Sequence, residues 1–285
     1  GVDLPQAVAA VARIGADRIA DFQDAALAAD YLDRVAAWVA LERQAGTDPG
    51  HGASTAAARA LALWMPYQDV IRVADLKSRF AQVRADVDAA PDEPVVVRDY
   101  LRPRIAEVAD ILPTPLAGRL AAWAARRGRS ELAGGVRLPT SRAHGLLAMR
   151  MLARLRPLRR RSSRFAREMA LIARWDAALR EALALDAGLA LEIARLPCLI
   201  KGYGDTHARG LSNFERILER HVETAAEHPA ARARAIREAA AAALADPEGR
   251  ALAQALGDPV PEPPVRPIRI VRRPRNTQGS ADRAL

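Results

Sequence analysis

The sequence contains one cysteine, Cys198, and this scarcity excludes several kinds of site. A single cysteine cannot form a disulfide within the chain, a zinc site with paired cysteines or an iron–sulfur cluster held by cysteines. Because Cys198 lies in the apolar run LPCLI, we predict a small buried hydrophobic residue rather than a catalytic thiol. The near absence of cysteine fits a cytoplasmic location.

Long apolar runs, aromatic residues and lysines are also scarce. No run of 18 or more apolar residues occurs, so we expect no membrane-spanning helix. Aromatic residues make up 4% of a chain that is 50% hydrophobic, so the core is expected to consist mainly of Ala, Leu, Val and Ile. All but two of the 43 basic residues are arginine, and the formal net charge is +9. This excess is explained either by an anionic partner such as nucleic acid or by a GC-rich coding sequence.

Apolar residues recur at helical spacing along most of the chain. This pattern predicts a mainly α, multi-helix region over residues 1–257, with loops near 46–53 and 128–140 as candidate boundaries between two subdomains. The Pro- and Arg-rich residues 258–285 have little to bury and are predicted to be disordered. The first residues lack an initiator methionine, so we expect the sequence to be a piece of a longer protein.

Local signals predict two finer features. The valines at 95–97 and the GGVRL segment at 134–138 are candidates for extended segments that pair as a short β ribbon. Ser162 or Ser163 is expected to cap a long helix that runs to Leu185.

The most unusual polar stretch is LIKGYGDTHARGLSNF, at residues 199–214. Its glycines permit a sharp turn after an apolar helix, and Ser212 or Asn213 is expected near the start of the next helix. The polar side chains form either a buried structural network, which we favour, or a ligand site or interface. The candidate residues are Lys201, Tyr203, Asp205, His207, Arg209, Asn213 and Glu215.

Two further segments carry clustered charges. In residues 67–77 the spacing of Asp69, Arg72 and Asp75, near Lys77, predicts ion pairs on a helix surface. Residues 156–167 are arginine-rich and begin RPLRRR, so they form either a solvated or protein-facing cluster or an anion site. The secondary candidates from these two segments are Arg72, Asp75, Lys77, Arg159, Arg160 and Arg161.

Fingerprints of cofactor sites are missing. The sequence has no G-x-x-x-x-G-K-[ST] phosphate loop, no complete dinucleotide-binding glycine motif and no Gly-Asp-Gly element for a metal-bound diphosphate. The five histidines show no metal-ligand spacing. We therefore expect neither a metal nor a cofactor in this chain.

Several long motifs, in one order, resemble a known family. They read ALWMPYQDVIRVADLKSRFAQVR (62–84), VVVRDYLRPRIAEVADILP (95–113), LRPLRRRSSRFARE (155–168) and LIKGYGDTHARGLSNFERI (199–217), after DFQDAALAADYLDRV at 21–35. From about residue 17 to residue 256 the chain is similar to the helical region of the large bacterial form of the indolepyruvate:ferredoxin oxidoreductase beta subunit.

The resemblance implies a role within a larger enzyme. In that family the beta subunit begins with a gamma-type 2-oxoacid:acceptor oxidoreductase domain, which is expected upstream of this chain. The thiamine diphosphate and iron–sulfur clusters are implied to lie in a partner alpha subunit. The complex oxidises an arylpyruvate with coenzyme A and passes the electrons to ferredoxin. No catalytic residue is implied here, so we expect the isolated chain to be inactive, with no membrane or nucleic-acid partner.

Overall fold

Helices form most of the described chain, as the aliphatic spacing predicts. The structure is a computed structural model that describes residues 4–79, 99–101, 104–129, 136–138, 143–202, 204–224, 228–246 and 248–260. Within these residues the helices are α1 (Gln6–Phe22), α2 (Ala25–Ala45), α3 (Gly52–Trp64), α4 (Val70–Ser78), α5 (Ile105–Ile111), α6 (Thr114–Arg126), α7 (Ala143–Ala153), α8 (Ser163–Leu185), α9 (Ala187–Arg195), α10 (Asp205–Ile217), α11 (Pro229–Ala245) and α12 (Arg250–Leu256). Short 3-10 turns lie at Arg156–Arg161 and Leu196–Leu199, and a π-helical turn lies at Leu218–Glu223. The predicted mainly α fold is confirmed.

The predicted β ribbon is present, and its first described strand follows the predicted segment in sequence. Strand β1 (Asp99–Leu101) pairs antiparallel with β2 (Val136–Leu138), and Tyr100 lies opposite Arg137. The second strand falls within the GGVRL segment as predicted, whereas residues 95–97 lie outside the described residues. The predicted disordered tail likewise lies outside them from residue 261 onward.

Side-chain caps set the starts of several helices. Ser162 caps α8 as expected, because its Oγ accepts a hydrogen bond from the amide of Phe165 at 3.2 Å. Asp24 caps α2 in the same way, accepting from the amide of Leu27 at 2.8 Å. These acceptors satisfy amide groups that the first turn of a helix leaves without partners.

The main core lies between the first three helices and the last five. Helix α1 packs on α2 and α3, while α9 packs on α3, α8 and α11. Most of the buried residues of this core are Ala, Leu, Ile and Val, as the composition predicts. Helices on both sides of the 46–53 loop contribute to it. The division of the chain into two subdomains stays a prediction.

A row of aromatic rings crosses this core. Trp38 packs edge-on against Trp175, Trp175 against Trp64, and Trp64 against Phe214, with ring centroids 5.6, 6.0 and 5.2 Å apart. Each of the two buried indoles on α2 and α3 donates to a buried carboxylate of α8. Trp38 Nε1 donates to Asp176 at 2.6 Å, and Trp64 Nε1 donates to Glu168 at 2.8 Å. The small number of aromatic residues in this chain therefore links helices that are distant in sequence.

Helices α4 to α7 bury a smaller set of residues outside the main core cluster. Ile71 of α4, Ile105 of α5 and Met149 of α7 are each less than 5% exposed, and α4 packs closely on α7.

Among the described residues, no helix has the length and apolar character needed to cross a membrane.

Candidate functional site

Arg159 is the buried member of the arginine-rich segment. Its side chain is 1% exposed, and its guanidinium donates to both carboxylate oxygens of Asp69, from Nε at 2.7 Å and from Nη2 at 3.1 Å. Nη1 donates to the backbone oxygen of Phe22 at 2.6 Å and to the side-chain oxygen of Gln23 at 3.0 Å. The guanidinium also lies 4.0 Å from the centre of the Phe22 ring. A buried charge is tolerated when it is paired and fully hydrogen-bonded in this way.

The same segment caps the end of α1. Arg156 donates to the backbone oxygens of Gln23 and Ala20 at 2.5 and 2.6 Å, beside the bond from Arg159 to Phe22. The last turn of α1 has no basic residue of its own. Because the final carbonyls of a helix lack partners and carry partial negative charge, arginines from a distant segment stabilise this end.

The next two arginines differ in their contacts. Arg160 donates to both carboxylate oxygens of Asp24, at 3.2 and 2.7 Å, and this bond is the largest cause that lowers the pKa of Asp24 to about 2. Arg161 is exposed and makes no hydrogen bond or ion pair with a described residue. The protein-facing interpretation is therefore confirmed for Arg159 and Arg160, while the role of Arg161 stays open.

The charges of α4 pair with each other and with α1. Arg72 and Arg79 both contact Asp75, at 3.0 and 2.6 Å, and both reach Asp21 of α1, at 2.8 and 2.7 Å. The predicted helix-surface ion pairs are confirmed for Arg72 and Asp75. The prediction for Asp69 is wrong, because Asp69 is buried, caps α4 and pairs with Arg159. Lys77 also lies on α4 and is partly buried.

The glycine-rich stretch turns sharply, but the following helix starts earlier than expected. Gly202 and Gly204 have φ values of 81° and 53°, a region of backbone conformation that favours glycine. Helix α10 then begins at Asp205, so Ser212 and Asn213 lie in its middle. The prediction that either residue caps this helix is wrong. The N-cap position is Gly204, which offers no side chain.

The predicted corner residues do not form a buried network among the described side chains. Lys201, Arg209 and Glu215 are exposed, and Asn213 is half-buried. Arg209 makes a weak contact of 3.4 Å with the hydroxyl of Thr206. Tyr203 lies outside the described residues, and Asp205 occupies the first position of α10.

Of the corner side chains that the structure describes, His207 lies near charged groups of another predicted segment. It is half-buried, and it lies close enough to Arg164, Glu168 and Asp110 for their charges to act on its pKa. Burial is the largest cause that lowers this pKa from its ordinary value, and the positive charge of Arg164 lowers it further; the two carboxylates oppose both. The imidazole makes no hydrogen bond with a described residue.

Tyr67 packs against one of these charged groups. The guanidinium of Arg164 lies 4.8 Å from the centre of the Tyr67 ring, and its Nε contacts Glu168 at 3.4 Å. The Tyr67 hydroxyl is buried without a partner among the described residues, and burial, helped by Asp69, raises its pKa. We call Tyr67, Arg164, Glu168 and His207 the polar junction.

The polar junction brings together the three polar segments found in the sequence. Its members come from residues 67–77, 156–167 and 199–215, with Glu168 directly after the second segment. Sequence reasoning selected His207 but missed Tyr67, Arg164 and Glu168. The spacing of four residues between Arg164 and Glu168 is the one local pattern that indicates a contact between two of these side chains. Nothing local shows that the indole of Trp64 donates to Glu168, or that the charge of Glu168 acts on the pKa of His207.

The chemistry available at the polar junction is hydrogen bonding and proton exchange. Its arginine and glutamate neutralise each other, while the phenol and the imidazole keep free donor or acceptor capacity. No group of three or more His, Cys, Asp or Glu residues that suits a metal ion occurs in the described parts of the chain.

The titration of His207 predicts a pH dependence of stability. Because the pKa of His207 is lowered in the folded chain, the unfolded chain binds the proton more tightly. The contribution of this residue to the free energy of unfolding is therefore fully present above its ordinary pKa of 6.5. It is lost as the pH falls below that value. Between about pH 7.5 and about pH 5.5, urea unfolding should show a smaller loss of stability for His207→Gln than for the wild type.

Equal losses of stability in the wild type and in His207→Gln would contradict the prediction.

Cys198 departs from its prediction. The residue is exposed rather than buried, because it lies on the outward side of the 3-10 turn before the glycines. Surrounding protein atoms nevertheless raise the pKa of its thiol, and the nearby Lys201 opposes this effect less strongly. A raised pKa leaves little thiolate at neutral pH. The expectation of a non-catalytic thiol stays a prediction.

Comparison with known proteins gives one match. The sequence profile of a family described as a family of unknown function (DUF6537) matches residues 8–220. This span is most of the chain and contains every member of the polar junction. No curated protein and no solved structure matches the chain.

Proposed function

The chain belongs to this family of unknown function, and from that premise we propose that it is the accessory helical region of an indolepyruvate (arylpyruvate):ferredoxin oxidoreductase beta subunit. In this role it packs against an upstream gamma-type α/β domain and against an alpha subunit that carries thiamine diphosphate and iron–sulfur clusters. The chain supports the coenzyme A-dependent oxidative decarboxylation of arylpyruvates in the cytoplasm, with ferredoxin as the electron acceptor.

The proposal rests on one structural observation: three segments that resemble the oxidoreductase family each contribute a residue to the polar junction. Segment 62–84 contributes Tyr67, segment 155–168 contributes Arg164 and Glu168, and segment 199–217 contributes His207. Segments that share motifs with one family and also meet in space support a shared architecture.

An accessory role fits the chemistry of the described residues better than a catalytic one. The charged groups of the arginine-rich segment stabilise helix ends and buried carboxylates. One cysteine cannot hold an iron–sulfur cluster with cysteine ligands, so such chemistry requires a partner. A nucleic-acid-binding function is less well supported, because Arg156, Arg159 and Arg160 already contact protein oxygens.

A small-molecule enzyme centred on the polar junction is the second candidate. The buried Tyr67 hydroxyl without a partner favours it, since buried polar groups are usually hydrogen-bonded. The two candidates differ in what the chain does alone. A self-contained enzyme turns over a substrate without a partner, whereas an accessory region acts only in the complex.

The test compares the isolated chain with the assembled enzyme. We expect the chain purified without oxygen to contain no iron and to show no arylpyruvate-dependent reduction of a ferredoxin. Reconstitution should restore turnover when the complete beta subunit, which includes this chain, is mixed with the alpha subunit. A beta subunit truncated before this chain is the matched control and should lose most of that turnover.

Two outcomes would contradict the proposal. Iron bound in stoichiometric amount by the isolated chain would show that the cofactor chemistry lies here. Full turnover by the truncated beta subunit would show that the chain does not support the reaction.

A further inference from the structure

Helix α7 carries apolar residues on two opposite faces. Its inner face packs on α4 and buries Gly145 and Met149. On the outer face, Leu147 is 61% exposed and Met151 is 55% exposed, which places them among the most exposed large hydrophobic residues that the structure describes. An amphipathic surface helix normally presents polar residues to water on that side. Among the described residues, the outer face of α7 is therefore an exposed apolar surface.

Two arginines lie on the same outer face. Leu147, Arg150, Met151 and Arg154 follow a spacing of three, four and seven residues, which places them together on one side of a helix. Arg154 reaches the sulfur of Met151 at 4.0 Å. We call these four residues the α7 surface. It combines two exposed hydrophobic side chains with two exposed guanidinium groups.

The surrounding sequence supplies no acidic residue to this surface. Residues 132–167 contain ten arginines and neither Asp nor Glu. Arg156, Arg159, Arg160, Arg164 and Arg167 all contact carboxylates or backbone oxygens elsewhere in the fold. By contrast, Arg150 and Arg154 pair with no carboxylate among the described residues. No carboxylate of the described residues compensates the positive charge of the α7 surface.

We propose that the α7 surface binds an acidic, amphipathic surface of the cofactor-bearing alpha subunit. This inference rests on the proposed function and names the contact through which the chain joins the complex. Exposed methionine and arginine are typical of protein interfaces, where methionine adapts to irregular apolar surfaces and arginine pairs with carboxylates. Charge complementarity requires that the partner surface place Asp or Glu side chains around an apolar centre.

The two other anionic partners fit the α7 surface less well. A lipid surface requires a broad apolar face that enters the headgroup region, whereas α7 exposes two large hydrophobic residues and has its other face packed on α4. Binding of single-stranded nucleic acid relies on aromatic side chains that stack on bases, and the α7 surface has none. A protein surface uses both the apolar and the charged side chains.

The test measures binding of the complete beta subunit to the purified alpha subunit. In the variant Leu147→Asp/Met151→Asp we expect the dissociation constant to rise by about tenfold or more, because buried apolar contacts at the centre of an interface dominate affinity. Leu63→Asp/Leu185→Asp is the matched control, since these residues are 60% and 55% exposed but lie elsewhere. The control should bind within about twofold of the wild type.

A second variant, Arg150→Glu/Arg154→Glu, tests the charge requirement. It should weaken binding and should also reduce the dependence of binding on salt concentration. Circular dichroism and thermal unfolding of each variant show whether the fold is retained. Because all four residues are exposed, both variants should unfold at the wild-type temperature.

The outcomes separate this inference from the proposed function. If the wild type binds the alpha subunit and both α7 variants bind equally well, the inference is overturned and the proposed function stands. If the wild type does not bind, the proposed function fails and the inference fails with it. Binding of the wild type to vesicles with anionic lipids, or to single-stranded DNA, that both variants lose would instead assign the surface to that other partner.

Discussion

Arg159→Ala should lower the free energy of unfolding by about 3–5 kcal/mol, because it leaves Asp69 as an unpaired charge in the interior. The carboxylate of Asp69 loses two hydrogen bonds, and the backbone oxygen of Phe22 loses one. Water cannot replace these bonds easily at a site where Arg159 is 1% exposed and Asp69 is 8% exposed. Urea unfolding monitored by circular dichroism measures the change.

The neighbouring Arg161 provides the matched control. It carries the same charge two residues away but is exposed and pairs with no described residue. Arg161→Ala should therefore change the stability by no more than about 0.5 kcal/mol. Similar losses in both variants would show that the positive charge of the segment, rather than the buried ion pair, stabilises the fold.

Gly210→Ala should destabilise the chain by about 1–3 kcal/mol through a steric clash. A Cβ atom at this position would overlap the backbone oxygen of Leu199 and would also lie 3.2 Å from its carbonyl carbon. Both atoms belong to the backbone, so no side-chain rotation relieves the contact. Helix α10 must move away from the Leu196–Leu199 turn, on which it packs.

Gly118 provides the opposite expectation within the same fold. It lies inside α6, and a Cβ atom there meets no atom within 4 Å. Gly118→Ala should therefore stabilise the chain by about 0.5–1 kcal/mol, because alanine loses less backbone entropy in a helix. If Gly210→Ala were as stable as Gly118→Ala, the close approach of α10 to Leu199 would be wrong.

The helices could be predicted because their signals are local. Apolar spacing of three and four residues marks α2 and α8, and Ser162 precedes the latter as a capping residue should. The ribbon was predicted in part. GGVRL contains β2, and β1 begins two residues after the valines at 95–97, which lie outside the described residues. The β-branched residues indicated extended backbone near the strand without fixing its register.

The buried ion pair could not be predicted, since its partners lie 90 residues apart. Asp69, Arg72 and Asp75 have the spacing of a helix surface, yet the first of them precedes the helix and serves as its cap. Similarly, no signal in the run Arg159-Arg160-Arg161 shows which side chain is buried. Packing of the 3-10 turn against the end of α1 decides this, and that contact is tertiary.

The corner at residues 199–215 shows how composition misleads about boundaries. The glycines correctly indicated a turn, but α10 starts directly after Gly204 without a side-chain cap. Thr206 to Asn213 therefore belong to a helix rather than to a loop. The polar residues distribute around that helix, and His207 reaches the polar junction while Arg209 stays in solvent.

The chain is synthesised from its N-terminal end. The pairing of α2 and α3 with α8 therefore affects when the first helices can reach their native packing. Trp38 and Trp64 donate to carboxylates 138 and 104 residues later in the chain, and the end of α1 is capped by Arg156 and Arg159. These partners do not yet exist when the first helices leave the ribosome. Contacts so distant in sequence slow folding, and an exposed nascent core invites chaperone binding. The N-terminal half is thus committed to its native packing only after α8 has been translated.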